Sequence, residues 1–316
     1  MFAARGIAIS FSVFVLVYCG LSLAVGCMWR KVWLYSQRYP VRRSADLLFA
    51  LRMSPLFAAA VVTGFLAVPS FVLLEPRSID EPIRGIPMAL GICGFLLMGF
   101  GVVNAALALM RASRRISELL NEAKLVDASG AVPVLRIARV IPPLTAAGIL
   151  RPRVLVSRSA EFVLNEKELQ TALRHEMAHV RRRDNLKKLA LRFVAFPGMG
   201  GLESAWVDAT EMAADDAAVF SSAEALDLAA ALIKLSRLGS VGAGAELTTA
   251  LIQGPAASMN ARVERLIAWS EGRRVPMGKY SLWYAVCTVS AVIAGCAVTY
   301  SALLVRVHTA TEWLVR

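Results

Sequence analysis

The chain has 316 residues, 57% of them hydrophobic, with a mean hydropathy of +0.58 and a formal net charge of +12. Soluble domains carry roughly 45–50% apolar residues, so the composition argues against a wholly water-soluble fold and for a membrane protein. The basic excess comes without an aromatic-interleaved basic patch or a nucleic-acid-binding module, so no direct nucleic-acid binding is expected.

Four stretches contain no charged residue: Gly6–Trp29, Met53–Leu74, Gly85–Met110 and Tyr280–Val305. Each exceeds the roughly 20 apolar residues that cross a bilayer as a helix. The first is followed by Arg30, Lys31, Arg38, Arg42, Arg43 and Arg52 and preceded only by Arg5. That asymmetry predicts a retained helix running from outside to inside, not a cleaved signal peptide, although Ala24-Val25-Gly26-Cys27 faintly resembles a lipoprotein cleavage site. The second span returns outward to the short loop Glu75–Arg84. The third comes back in and meets Arg111, Arg114 and Arg115.

The expected organisation is thus an N-terminal membrane region (residues 1–110, spans at about 6–29, 53–74 and 85–110), a cytoplasmic domain (111–279), and a fourth span at about 280–305 with a short outer tail to 316. Both termini are expected outside a bacterial inner (cytoplasmic) membrane. The cytoplasmic block carries 24 Lys plus Arg against 18 Asp plus Glu. Much of the remaining positive charge lies in the 30–52 loop, where it faces anionic headgroups of the bilayer. All five cysteines (Cys19, Cys27, Cys93, Cys287, Cys296) fall inside spans, which fits a reducing compartment and excludes a thiolate zinc site in the soluble block.

Inside that block, Ser113–Val126 reads as a polar helix continuing from the third span. Val132–Val140 and Arg153–Ser157, rich in Val and Ile with Pro at their borders, read as strands joined by the turn-rich Ile141–Leu150. Asn165-Glu166-Lys167-Glu168 has the form of a capping box and opens a helix predicted from Glu166 to Lys188. After a break at Pro197-Gly198, further helices are predicted over Glu203–Phe220, Ala223–Leu238 and Ala261–Trp269. The small, polar Gly239–Gly254 is expected to be a mobile connector. The fold class expected is therefore mainly α with a small β-sheet.

The chemistry lies in His175-Glu176-Met-Ala-His179. Residues four apart share one helix face, so both imidazoles can reach a single ion at the ~2.0–2.1 Å that zinc prefers. Glu176, beside the first ligand, is placed to act as general base without binding the metal; this is the HExxH arrangement of zinc peptidases. A catalytic zinc needs a third protein ligand and an open position. Glu211, in Glu211-Met-Ala-Ala-Asp215-Asp216, is the best candidate because it lies on a second helix, with Asp215 one turn further on to accept the other ring N–H of a ligating histidine. Asp184 can pin the helix, pair with Arg181–Arg183, or support the site; the sequence leaves these roles open. The Arg153–Ser157 strand is expected to hold substrate by β-addition, and Arg262 is one possible source of oxyanion stabilisation.

These motifs carry a resemblance. The segment Leu144–Val156 (LTAAGILRPRVLV), the segment Glu168–Asp184 (ELQTALRHEMAHVRRRD), and Glu211 with Asp215 resemble the corresponding parts of BlaR/MecR-type integral-membrane zinc metalloproteases, as does the layout of three spans, a protease block and one more span. The resemblance implies a gluzincin-like domain with one Zn2+ per chain on His175, His179 and Glu211. It also implies cleavage of a cytoplasmic protein substrate such as a winged-helix repressor of antibiotic-resistance genes, in signal transduction, with a homodimer as a further partner expectation. Two departures stand out. Sensor members carry an extracellular penicillin-binding domain after the last span, where only Arg306–Arg316 follow here, so direct β-lactam sensing is not expected. Phe196-Pro197-Gly198-Met199 stands where the family commonly has an aromatic-Asn-Pro turn.

Two alternatives remain. A membrane quality-control or prenyl-protein-processing protease shares HExxH and a later Glu ligand, but places two membrane helices between them; Leu189–Gly201, interrupted by Arg192, is too short for that pair. A receptor or scaffold with a structural metal site is the non-enzymatic reading.

Overall fold

The computed structural model describes residues 2–75, 85–121, 123–127, 132–138, 143–194, 196–238, 249–250, 256–272 and 299–315. Three helical stretches among them are long and apolar enough to cross a membrane: α1 (Phe2–Ser36), the run Val41–Leu74, and α4 (Gly85–Asn121). α1 extends past its charge-free stretch at both ends, the second run at its start and α4 at its end, because flanking turns with basic residues continue the same helices. The fourth expected span lies largely outside the described residues; its last turns belong to α11 (Tyr300–Val315). The expectation of four spanning helices therefore reduces to three that are described.

The second run consists of α2 (Val41–Val62), a π-helical turn (Thr63–Ala67) and α3 (Val68–Leu74). Pro69 explains the irregularity: it has no N–H and its ring crowds the carbonyl four residues back, Phe65. That carbonyl is taken up by the Tyr300 hydroxyl of α11, which donates to it at 2.8 Å. Helices α1 and α4 meet through small residues: a Cβ at Gly91 would lie 2.9 Å from the Ala8 carbonyl, and one at Gly94 2.7 Å from that of Phe11. Without a hydrophobic force between helices in lipid, such close backbone approach is what packing depends on. The Ser12 hydroxyl adds a bond to the Pro87 carbonyl across the same seam.

The rest of the chain builds a five-stranded sheet against a helical layer. The strands are β1 (Lys124–Asp127), β2 (Val134–Ile137), β3 (Leu144–Ala147), β4 (Arg153–Ser157) and β5 (Thr249–Ala250), in the order β1-β2-β4-β3-β5. Only β2–β4 is parallel. Two expectations are corrected here. The predicted helical extension Ser113–Val126 holds as far as Asn121, its last residues Lys124–Val126 lying instead in β1, and the presumed turn Ile141–Leu150 contains β3. Both segments are short and polar or Pro-flanked, so pairing with neighbouring strands, not local pattern, decides them. The predicted connector Gly239–Gly254 falls outside the described residues apart from β5.

The helical layer comprises α5 (Arg158–Val163), α6 (Glu166–Arg182), α7 (Asp184–Phe193), α8 (Gly200–Ala218), α9 (Ser222–Ser236) and α10 (Ala256–Ser270). One core lies between the sheet and α6, α9 and α10, around Val154, Ala172, Leu228 and Leu232. A second joins this layer to the apolar helices: Leu202 and Trp206 of α8 pack with Val25, Ala45 and Leu48 of α1 and α2. The α7–α8 connection is wedged among the apolar helices, Phe196 lying edge-on to Tyr18 at 5.8 Å. At Gly101 of α4 any Cβ would come within 2.5 Å of the Phe193 carbonyl, so only glycine admits the wedge.

Candidate metal centre

The expected helix Glu166–Lys188 is in fact two. Its N-terminus is as predicted: the Asn165 side chain accepts from the Glu168 N–H at 2.8 Å, and the Glu168 carboxylate accepts from the Asn165 N–H at 2.9 Å. Its end comes at Arg183, which adopts the left-handed conformation (φ 55°). A non-glycine residue there costs conformational energy and marks a constrained position. The consequence is local and chemical, because the chain turns back and Asp184, first residue of α7, brings its Oδ2 to 2.8 Å from Nδ1 of His179.

His175 and His179 project from α6 towards α8, which supplies Glu211. All three are buried, and their donor atoms converge. The two Nε2 atoms are 3.1 Å apart, Glu211 Oε2 lies 3.5 Å from His175 Nε2, and Glu211 Oε1 lies 3.6 Å from His179 Nε2. An ion held tetrahedrally at ~2.05 Å separates its ligand atoms by about 3.3 Å, so the triangle has the right size. Both outer nitrogens face a carboxylate: His179 Nδ1 is hydrogen-bonded to Asp184 Oδ2 at 2.8 Å, and His175 Nδ1 lies 2.9 Å from Asp215 Oδ1, close but outside hydrogen-bond geometry. Carboxylates on both Nδ1 atoms keep the N–H on that side and turn a lone pair inward at each Nε2. Two lone pairs and a carboxylate facing one another out of water repel unless a cation or proton lies between them. The donor set, two imidazoles and a carboxylate, suits zinc and its neighbours in the first transition row.

The electrostatics follow the same logic. At His175 burial disfavours the charged ring, but the Asp215 and Glu211 carboxylates outweigh it and its pKa is raised. His179 is likewise opposed by burial, yet Glu211 and Asp184 push it up to about 10. Glu211 is held well below the usual carboxylate range, burial being overcome by His179, His175 and Arg262. Asp215 is also depressed, despite burial, by Arg262 and His175. Raised imidazoles and depressed carboxylates together mark a buried centre that favours positive charge between them.

Glu176 is buried beside the triangle. Its Oε2 accepts the Ala146 N–H of β3 at 2.6 Å, while Oε1 has no hydrogen-bond partner. Burial raises its pKa, partly offset by the two histidines, which moves it towards the range suited to a general base.

Two sequence expectations are corrected at this point. Arg262 of α10 does not face an open position: its Nε and Nη2 donate to Asp215 at 2.8 and 2.7 Å, and Nη1 lies 3.2 Å from Glu211 Oε2. It braces the ligand and the histidine's partner from behind. Strand β4 (Arg153–Ser157) cannot take an added strand, because it is paired on both sides by β2 and β3. The strand next to the centre is β3. Of the arginine run, Arg182 turns inward, 3.5 Å from Asp184, while Arg181 and Arg183 are exposed.

Sequence reasoning missed Asn185 and Lys188. Asn185 donates to the carbonyls of Ala146 and Gly148, both at 3.1 Å, and so locks β3 onto α7. Lys188 is buried, and burial lowers its pKa against the pull of Glu211, Asp184 and Glu176. No local signal marks either residue, because the left-handed Arg183 sets the phase in which they face the site. No family model and no curated protein matches the chain.

Proposed function

We propose that this protein is an integral-membrane zinc-dependent endopeptidase of the BlaR/MecR type, with its helical–sheet block on the cytoplasmic side of a bacterial inner membrane. The observation that carries the reading is the convergence of His175, His179 and Glu211 to within 3.1–3.6 Å, with each histidine backed by its own carboxylate. The substrate class proposed is a cytoplasmic protein, such as a winged-helix repressor, cut in regulated signalling.

A zinc ion on these three ligands would polarise the scissile carbonyl and activate water. The chain's own groups supply the rest. Glu176 takes the proton of the attacking water through its unpartnered Oε1 and returns it to the leaving amine, a task for which its raised pKa suits it. Ala146 fixes the other oxygen of Glu176, so the base cannot swing away. Asp184, Asp215 and Arg262 hold the ligands in orientation and keep the inward lone pairs available. A structural site commonly has four protein ligands; among the described residues three donors converge here, beside a carboxylate oxygen that no protein group engages, which favours the catalytic reading.

The test is the Glu176→Gln protein, compared with wild type in the host by proteomics. The expected outcome is that metal content is unchanged and a cleavage fragment present with wild type disappears, with activity lowered on the order of 10²–10⁴-fold. Full function of the Gln variant would sink the enzymatic reading in favour of a scaffold.

A further inference from the structure

A groove of about 580 Å³ opens beside α4, where the α7–α8 connection is wedged against it. We propose that this groove binds one anionic phospholipid, with the phosphate on Arg192 and an acyl chain along Leu96 and Phe100. The proposal rests on α4 lying in a bilayer and makes no use of the metal centre.

The wall of the groove grades from apolar to polar along one helix face. Leu96, Phe100 and Asn104 follow one another at four-residue intervals on α4, a single stripe about 12 Å long. The first two are exposed, and Leu97 continues the apolar wall. The Asn104 side chain, at the polar end, donates to the Arg192 carbonyl at 2.8 Å and so holds Arg192 at that level. Two helices set the depth of this end independently. Asn104 is 19 residues from Gly85, the start of α4, a rise of about 28 Å against a hydrocarbon core of ~30 Å. On the second run, Arg52 is the last charged residue before the charge-free stretch that begins at Met53, and its Nε donates to Glu203 of the same groove at 3.0 Å. Arg192 therefore stands at the level of lipid phosphates, with Leu96 and Phe100 at the level of the chains.

Charge selects the headgroup. Arg192 and Glu203 are the charged residues of the lining, and Glu203 is already taken by Arg52. Among the described residues no carboxylate lies within ion-pair distance of Arg192, so the groove presents one uncompensated positive charge beside apolar surface. Arginine suits phosphate because its planar fork donates two parallel hydrogen bonds. The volume is that of a ligand pocket, which spans roughly 300–1,000 Å³. A soluble phosphate would gain nothing from Leu96 and Phe100, an uncharged apolar molecule nothing from Arg192, and a zwitterionic headgroup has no net charge to match. An anionic phospholipid uses both ends.

The test uses the full chain in detergent, freed of lipid and titrated with phosphatidylglycerol, the bound molecules being counted by native mass spectrometry. One molecule per chain should be held, at least tenfold more tightly than phosphatidylcholine. Arg192→Gln should abolish that preference and weaken phosphatidylglycerol binding roughly fivefold or more. Arg192 is exposed, so this variant does not put folding at risk. Gly200→Phe fills the groove without touching a charge, since a Cβ there meets nothing within 4 Å, and should weaken binding as well. Equal affinity for the two lipids, or unchanged binding in either variant, overturns the proposal. So does glycerol phosphate bound as tightly as phosphatidylglycerol, which would mark a site for a soluble phosphate. Neither variant alters a metal ligand, so lipid loss is read separately from the peptidase reading.

Discussion

Along α2, α4 and the π turn between α2 and α3, large apolar side chains point outward: Phe57, Phe65, Phe95 and Phe100 are 72%, 68%, 65% and 61% exposed. In α6, α7 and α8 the reverse holds, with Glu176, Asp184, Glu211 and Asp215 all buried. Each arrangement would be unfavourable in a water-soluble fold. The first calls for lipid around the helices. The second calls for charge compensation inside, which Arg262, two imidazoles and a cation can supply. The two regions are not independent, because α8 carries Glu211 and Asp215 near one end and Trp206 at the seam with α1 and α2.

That seam can be broken. Trp206 is 2% exposed and packs with Phe49 at 6.0 Å between ring centroids. Trp206→Ala should cost about 3–5 kcal/mol, read as loss of thermal stability by circular dichroism in detergent. An unchanged melting temperature would mean that α8 is not anchored to the apolar helices.

A smaller effect sharpens the other side of the comparison. Asp215→Asn keeps the shape beside His175 Nδ1 but removes the charge that Arg262 and the imidazole both use. Metal affinity should fall about 10–100-fold, equivalent to roughly 1.4–2.7 kcal/mol, measured by chelator competition. Equal affinity would show that Asp215 serves only Arg262.

The two regions also differed in how much their sequence disclosed. Charge-free stretches near residues 6–29, 53–74 and 85–110 locate three helices, though not their ends, which run on by two to three turns through flanking basic residues. The pairing of the two histidines was legible as well, because i,i+4 spacing on a capped helix puts His175 and His179 on one face. Glu211 and Asp215 apart, what escaped were the features that depend on contacts distant in sequence. Arg183 has no glycine-like signal, so the kink that delivers Asp184 and phases Asn185 and Lys188 is hidden. Strand β3 hides among prolines and alanines and is recognisable only once β4 lies beside it. Arg262 is a surface-type residue by composition, and its burial becomes intelligible only when Asp215 and Glu211 are seen to receive it. The α7–α8 wedge is likewise invisible, although Gly101 is the residue that makes room for it.

X-ray absorption fine structure of the zinc-loaded protein tests the central claim most directly. The account predicts a first shell of four nitrogen or oxygen scatterers at about 2.0–2.1 Å, outer-shell features of two imidazoles, and loss of one imidazole with the ion bound more weakly in His179→Ala. A spectrum without imidazole scattering, or one indifferent to His179, would contradict it.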